Sequence, residues 1–161
     1  MSAIANLVKG CPLFHEIYDN EVEKILADCL VATYQPGDYI MRQGEEGTDI
    51  CVILSGNADI SVMKGDESHY IATINKGDIF GEMVLINETK RTANIICKEK
   101  CDVLVLSFEN FYKFFSKNPS VFALMVLNVT RLITKRLKNS NLVVQELNHK
   151  ILELEGGDKA A

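Results

Sequence analysis

The chain has 161 residues, 47% of them hydrophobic, which fits one domain with a buried core. Its formal net charge of -5 leaves no basic footprint for DNA or RNA, where phosphate contacts dominate affinity, so nucleic acid is not an expected partner. Five scattered cysteines without a two-residue spacing fit reduced thiols in a cytoplasmic protein, and no apolar run approaches bilayer length, so neither export nor a membrane span is expected.

From Asp19 to Leu30 the apolar residues Val22, Ile25, Leu26, Cys29 and Leu30 fall at helical spacing behind Asp19 as an N-cap, which predicts a short amphipathic helix. Between about 31 and 106 the pattern changes to short β-rich stretches at Ile50–Leu54, Ala58–Met63, Tyr70–Ile74, Asn94–Cys97 and Val103–Leu106. Turn residues separate them at Pro36-Gly37-Asp38, Gly44, Ser55-Gly56-Asn57, Lys64-Gly65-Asp66 and Lys76-Gly77-Asp78. This rhythm predicts a compact antiparallel sandwich or roll. Cys97 and Cys101 read as strand neighbours too far apart to share a metal ion. His15, His69 and His149 are too dispersed for a metal, and no nucleophile is paired with a base, so neither a metal site nor an enzyme is expected.

After Ser107, a plausible cap, the period is helical again, with Phe108, Phe111, Tyr112 and Phe115 on one face. Asn118 then caps a second helix with Pro119 at its first position. Nothing interrupts it before Gly156, so it runs about 37 residues, or about 55 Å. Along it Val126, Thr130, Ile133, Leu137, Ser140, Val144, Leu147, Ile151 and Leu154 recur at spacings of four and three, a heptad seam carrying two hydroxyl residues. Such a seam serves either a parallel homodimer through residues 126–154 or a helix folded back over the roll. The expected organisation is one domain over 1–155, with the roll at about 31–106, helices at about 107–155, and a disordered tail at 156–161.

The stretch FGEMVLINETKRTA, residues 80–93, carries the chemistry. Gly81 lets backbone approach a ligand closely, a short helical start offers N–H groups to an anion, and Arg91 is a planar donor suited to phosphate oxygens. Glu82 is placed to accept a hydrogen bond from a sugar hydroxyl. Phosphate plus ribose means a nucleotide. Spacing alone equally allows Glu82 and Arg91 to pair with each other across the turn.

These residues resemble the phosphate-binding cassette of the cyclic nucleotide-binding domain family, and match its protein kinase regulatory-subunit form without a gap. A second match, YQPGDYIMRQGEEGTDICVILSGNADISV, resembles that family's β-roll with glycine corners at Gly37, Gly44, Gly47 and Gly56. The resemblance covers about residues 10 to 140. It implies an α+β fold: an antiparallel β-roll of the double-stranded β-helix or jelly-roll type, with N-terminal helices and a long C-terminal dimerisation helix. It further implies that Glu82 binds the ribose 2′-hydroxyl and Arg91 the cyclic phosphate. Gly81, Met83, Val84 and Ala93 line the same pocket, and Thr92 faces the base or phosphate. Alignment with the bacterial catabolite activator form makes Ile60, Ile71 and Ile74 apolar walls for the purine, although ordinary core packing explains them equally. The same alignment gives Ser140 and Asn141 on the long helix polar contacts to the base. The chain departs from the family at Val84, where alanine or glycine is usual, and this bears on affinity.

The implied function is a regulatory sensor of cyclic AMP or cyclic GMP that passes occupancy to a separate effector protein through its C-terminal helices. Its alternative is a degenerate roll that only dimerises or scaffolds. No metal cofactor and no DNA-binding helix-turn-helix are expected.

Overall fold

A computed structural model describes residues 3–86 and 90–157. The chain divides into two compact units, 1–128 and 129–161. The first opens with helix α1 (Ala3–Leu7), a 3-10 turn at Pro12–Phe14, and helix α2 (Asp19–Leu26). Helix α2 buries Val22, Ile25 and Leu26, as its spacing predicts, but it stops four residues short of Leu30. Tyr18 occupies the cap position, and Asp19 stands inside the first turn, where a carboxylate suits the helix dipole. Leu30 is exposed at the start of a strand.

Eight strands follow among the described residues: β1 (Leu30–Tyr34), β2 (Tyr39–Met41), β3 (Asp49–Ser55), β4 (Asn57–Lys64), β5 (Glu67–Asn75), β6 (Ile79–Phe80), β7 (Asn94–Cys97) and β8 (Cys101–Ser107). They form two antiparallel four-stranded sheets, ordered β1-β8-β3-β6 and β2-β7-β4-β5. Alternate side chains of both sheets point inward and build one core. Cys51, Ile53, Phe80, Cys101 and Val103 come from the first sheet; Met41, Ala58, Ile74, Ile95 and Cys97 come from the second. This is the antiparallel β-roll with flanking helices that the sequence implies.

The two neighbouring cysteines depart from expectation. They do not share a strand: Cys97 ends β7 and Cys101 begins β8, and the turn between them carries the chain from one sheet to the other. Both thiols are buried in the core, and Cys101 Sγ lies within hydrogen-bond reach of the carbonyls of Asn57 (3.1 Å) and Glu99 (3.2 Å). Burial, then the contact with Cys97, pushes the Cys101 thiol up to about 12. Among the described residues no group of three or more histidine, cysteine or acidic side chains is placed to hold a metal ion.

Helix α3 (Phe108–Lys117) begins where Ser107 Oγ accepts from Asn110 N at 3.2 Å. Its inward face is Phe111 and Phe114. Phe108, Tyr112 and Phe115, grouped with Phe111 by spacing, instead stack at the surface, with ring centroids 5.8 and 5.4 Å apart. Helix α4 (Pro119–Gly157) follows, with Asn118 Oδ1 accepting from Val121 N at 3.3 Å. Within the first unit it buries Val121 and Met125, and Asn128 Nδ2 donates to the carbonyls of Leu13 (3.1 Å) and His15 (2.7 Å). In the second unit the seam residues Leu137, Val144, Leu147, Ile151 and Leu154 are exposed. The helix runs through the two glycines at which the sequence places its end, and residues 158–161 of the expected tail lie outside the described residues. Among the described residues no helix is long and apolar enough to cross a membrane.

Candidate functional site

The cassette hangs between β6 and β7. Strand β6 is only two residues long and pairs with β3, Phe80 opposite Cys51, so the following residue emerges at the edge of the first sheet. That residue is Gly81, at φ 76, a conformation that strains any residue with a side chain. Space demands glycine as well: a Cβ there would lie 2.6 Å from the Asp49 carbonyl oxygen and 2.9 Å from Arg91 Nη1. The chain then winds into a 3-10 segment at Glu82–Ile86. The stretch 87–89 of the cassette lies outside the described residues.

Arg91 is fixed at both backbone and side chain. Its N–H donates to Glu45 O at 2.8 Å, its carbonyl accepts from Gly44 N at 2.7 Å, and the adjoining Lys90 bridges to Glu46. The segment 44–46 is therefore a short antiparallel rail for the arginine. Its half-buried guanidinium donates from Nη2 to Asp49 O (3.1 Å) and from Nη1 to Gly81 O (3.5 Å). Both acceptors are neutral carbonyls, and Arg91 forms no ion pair with Glu82 among the described residues. The pairing of these two residues with each other, allowed by spacing, is not the arrangement adopted. The cation's field reaches the core: it opposes the burial that pushes the Cys51 thiol up to about 12.

Glu82 is 7% exposed, an uncommon state for a carboxylate and one that requires polar company. Val84 is buried beside it in sequence, whereas Met83 and Thr92 are exposed and joined by a contact from Thr92 Oγ1 to Met83 Sδ at 3.5 Å. Ala93 is half-buried and leads into β7. The carboxylate of Glu82 and the cation of Arg91 thus belong to one cassette joined through Gly81, an arrangement able to hold an anion at one end and a hydroxyl at the other.

The three isoleucines are not equivalent. Ile74 is buried in the core opposite Ala58, and Ile60 is half-buried against that core opposite Ile95. Ile71 is 59% exposed, because the β4–β5 register shifts between Ile60 and Ser61 and leaves Ile71 as the unpaired residue of a bulge. Ile71 is thus exposed where Ile74 is buried. Ser140 and Asn141 are exposed on α4 in the second unit.

Two residues of the site escape sequence reading. Gly47 reads as a corner of the roll, yet its backbone is not left-handed; a Cβ there would run into the Arg91 guanidinium, 2.5 Å from Nη2. Asn94, buried at the start of β7, accepts from Gln43 N at 2.9 Å and ties the strand that follows the cassette to the end of β2. The repeated glycines of the GEEG segment are the signal that points to the first; nothing in the sequence marks the second.

A family-wide sequence model described as Cyclic nucleotide-binding domain matches residues 31–118. Similar proteins include a cGMP-dependent protein kinase of Drosophila melanogaster (isozyme 2 forms cD5/T2), 37% identical over 117 residues, covering 70% of this chain and 12% of the kinase. The Cyclic AMP receptor protein of Thermus thermophilus is 28% identical over 142 residues, covering 88% of this chain and 64% of the relative. The crystal structure of the Thermus thermophilus Catabolite Activator Protein superposes with a TM-score of 0.73 at 28% identity, covering 85% of this chain and 63% of that one. The chain thus spans a small part of the kinase and less than two thirds of the bacterial relative.

Proposed function

The chain belongs to the cyclic nucleotide-binding domain family, and from that premise we propose that it is a regulatory module that binds a cyclic nucleotide in the cassette at residues 80–93. The observation that carries this reading is the arrangement around Gly81: a buried Glu82 follows it, and a guanidinium lies against its carbonyl, with neutral carbonyls as its acceptors among the described residues. A cation held by carbonyls keeps its charge available for a phosphate. In this reading Arg91 binds the cyclic phosphate, Glu82 the ribose 2′-hydroxyl, and the backbone of Gly81, Met83, Val84 and Ala93 closes around them. Thr92, exposed beside Met83, faces the base or phosphate.

Ile60 and Ile74 form the apolar wall on the core side, and Ile71 reaches the purine from the bulge on β5. Ser140 and Asn141 supply polar contacts to the base in a homodimer formed through residues 126–154. The similarity to a Cyclic AMP receptor protein and to cGMP-dependent kinases supports cyclic AMP and cyclic GMP as the ligands to test. The module is not itself an enzyme; occupancy biases the helices after Ser107 and is read by a separate effector protein. The second reading is a scaffold that has lost its ligand. Val84 favours it, since a branched side chain is buried where the family usually has a small residue.

Thermal melts with each nucleotide test the choice. A ligand at a hundred times its dissociation constant stabilises the fold by about 2.7 kcal/mol. A raised melting temperature is expected; no shift with either nucleotide would leave only the scaffold.

A further inference from the structure

The sulfur atoms of this chain are unevenly exposed. Cys11, Cys51, Cys97 and Cys101 are buried, and the half-buried Cys29 holds its thiol against the Ile25 carbonyl at 3.4 Å. Burial, then the charge of Asp28, pushes the Cys29 thiol up to about 12, away from the thiolate form that oxidants attack. Met41 and Met125 are buried as well. Among the described residues two sulfurs belong to exposed side chains, Met63 at 40% and Met83 at 43%.

These two methionines differ in their surroundings. Met63 lies on β4, where its backbone N–H and carbonyl meet the Gln43 side chain at 2.6 and 3.4 Å. Met83 stands in the cassette between Glu82 and Val84, and its Sδ accepts from Thr92 Oγ1 at 3.5 Å. That contact joins the 3-10 segment to the residue after Arg91. A thioether is a weak acceptor, so it holds the Thr92 hydroxyl lightly and leaves it able to turn to another partner.

We propose, resting on the reading of the cassette as the nucleotide site, that Met83 is an oxidation site through which peroxide lowers the affinity for cyclic nucleotide. The sulfur lone pair attacks one peroxide oxygen, an S–O bond forms and the O–O bond breaks. The departing hydroxide takes the proton of the transferred hydroxyl and leaves as water. Sulfur is oxidised by two electrons and peroxide is reduced by two, giving the sulfoxide. Its oxygen is a full acceptor on the atom that Thr92 already touches, so the hydroxyl is committed to Met83 and withdrawn from the ligand. Both side chains are exposed, so the new polar oxygen needs no burial and the roll keeps its packing.

The test treats the full chain with dilute hydrogen peroxide, locates added oxygen by peptide mass mapping, and titrates cyclic AMP and cyclic GMP calorimetrically before and after. Oxygen is expected at Met83 and Met63 and not at the buried Met41 or Met125, with nucleotide affinity reduced on the order of tenfold and the near-ultraviolet signal unchanged. Methionine sulfoxide reductases, one for each epimer, are expected to restore the affinity. In Met83→Leu and in Thr92→Val, each compared with its own untreated form, the peroxide effect is expected to fall below about twofold. Untreated parent protein that binds neither nucleotide overturns the cassette reading and the oxidation site together. Parent protein that binds, and keeps its affinity once Met83 is oxidised, overturns the oxidation site alone. An undiminished peroxide effect in either variant does the same, as does a Met83 that stays unmodified while Met63 is oxidised, or an affinity loss that comes with loss of the near-ultraviolet signal.

Discussion

The Arg91 guanidinium rests on carbonyls of Asp49 and Gly81, and Glu82 is buried one residue beyond that glycine. If the two side chains divide the ligand between them, their variants fail differently. Arg91→Ala removes a charge-assisted contact from a partly desolvated site and is expected to weaken cyclic nucleotide binding by roughly 2 to 5 kcal/mol in calorimetric titration. Glu82→Gln is expected to cost roughly 1.5 to 3 kcal/mol with cyclic AMP and much less with its 2′-deoxy analogue, which lacks the hydroxyl that the carboxylate would hold. Equal losses with both ligands would remove Glu82 from the ribose. The cassette was legible because a glycine, an acid and an arginine stand in order around a short apolar turn. The carbonyl seat of the arginine was not: Asp49 is brought beside it by strand pairing across more than forty residues, and no local pattern records that.

At the level of elements, the first sheet is stitched by one carboxylate. Asp102 on β8 accepts from Thr33 Oγ1 of β1 at 2.7 Å and from Ser55 Oγ of β3 at 2.9 Å, spanning three adjacent strands. The Thr33 hydroxyl first, and Ser55 next, holds its pKa below the ordinary carboxylate range. A carboxyl depressed in the folded state stabilises the fold above its unfolded pKa of about 3.9, and that contribution is lost as pH falls through the lowered folded value. Asp102→Asn is therefore expected to be less stable than the parent in urea at pH 7, with the gap closing in strong acid. A gap unchanged down to acid pH would mean that the hydrogen bonds hold equally well without the charge. The longer strands β3, β4, β5 and β8 were visible in the sequence as β-rich runs, whereas β2 and β6, three and two residues long, are too short to show a period. Phe108, Phe111, Tyr112 and Phe115 stand at the i, i+3, i+4, i+7 spacing of a single helical face, so periodicity groups them. Packing selects Phe111 and Phe114, leaving the other rings stacked on one another.

For the whole molecule, the decisive quantity is the apolar surface that α4 leaves open. Leu137, Val144, Leu147, Ile151 and Leu154 are exposed at heptad positions, an arrangement that a second copy would bury. Sedimentation is expected to show a dimer that Leu147→Glu dissociates without loss of the roll's near-ultraviolet signal. A monomer at all concentrations would remove the homodimer, and with it the proposed base contacts of Ser140 and Asn141. The heptad and the length of this helix were readable because nothing but repetition is needed to see them. The burial of Cys97 and Cys101 in one core was not, since it depends on a turn that changes sheets.

Gly47 and Gly56 look alike in the sequence, yet they answer to different demands. A methyl group on Gly56 would strike the Lys100 carbonyl, part of the backbone that joins β7 to β8, and Gly56 is left-handed besides. A methyl group on Gly47 would strike only the end of a long, bendable side chain. Mutation at the first position is expected to cost folding, whereas at the second it displaces the Arg91 guanidinium. If Arg91 binds the cyclic phosphate as proposed, Gly47→Ala is expected to cut nucleotide affinity in calorimetric titration while the melting temperature of the unliganded roll stays near that of the parent.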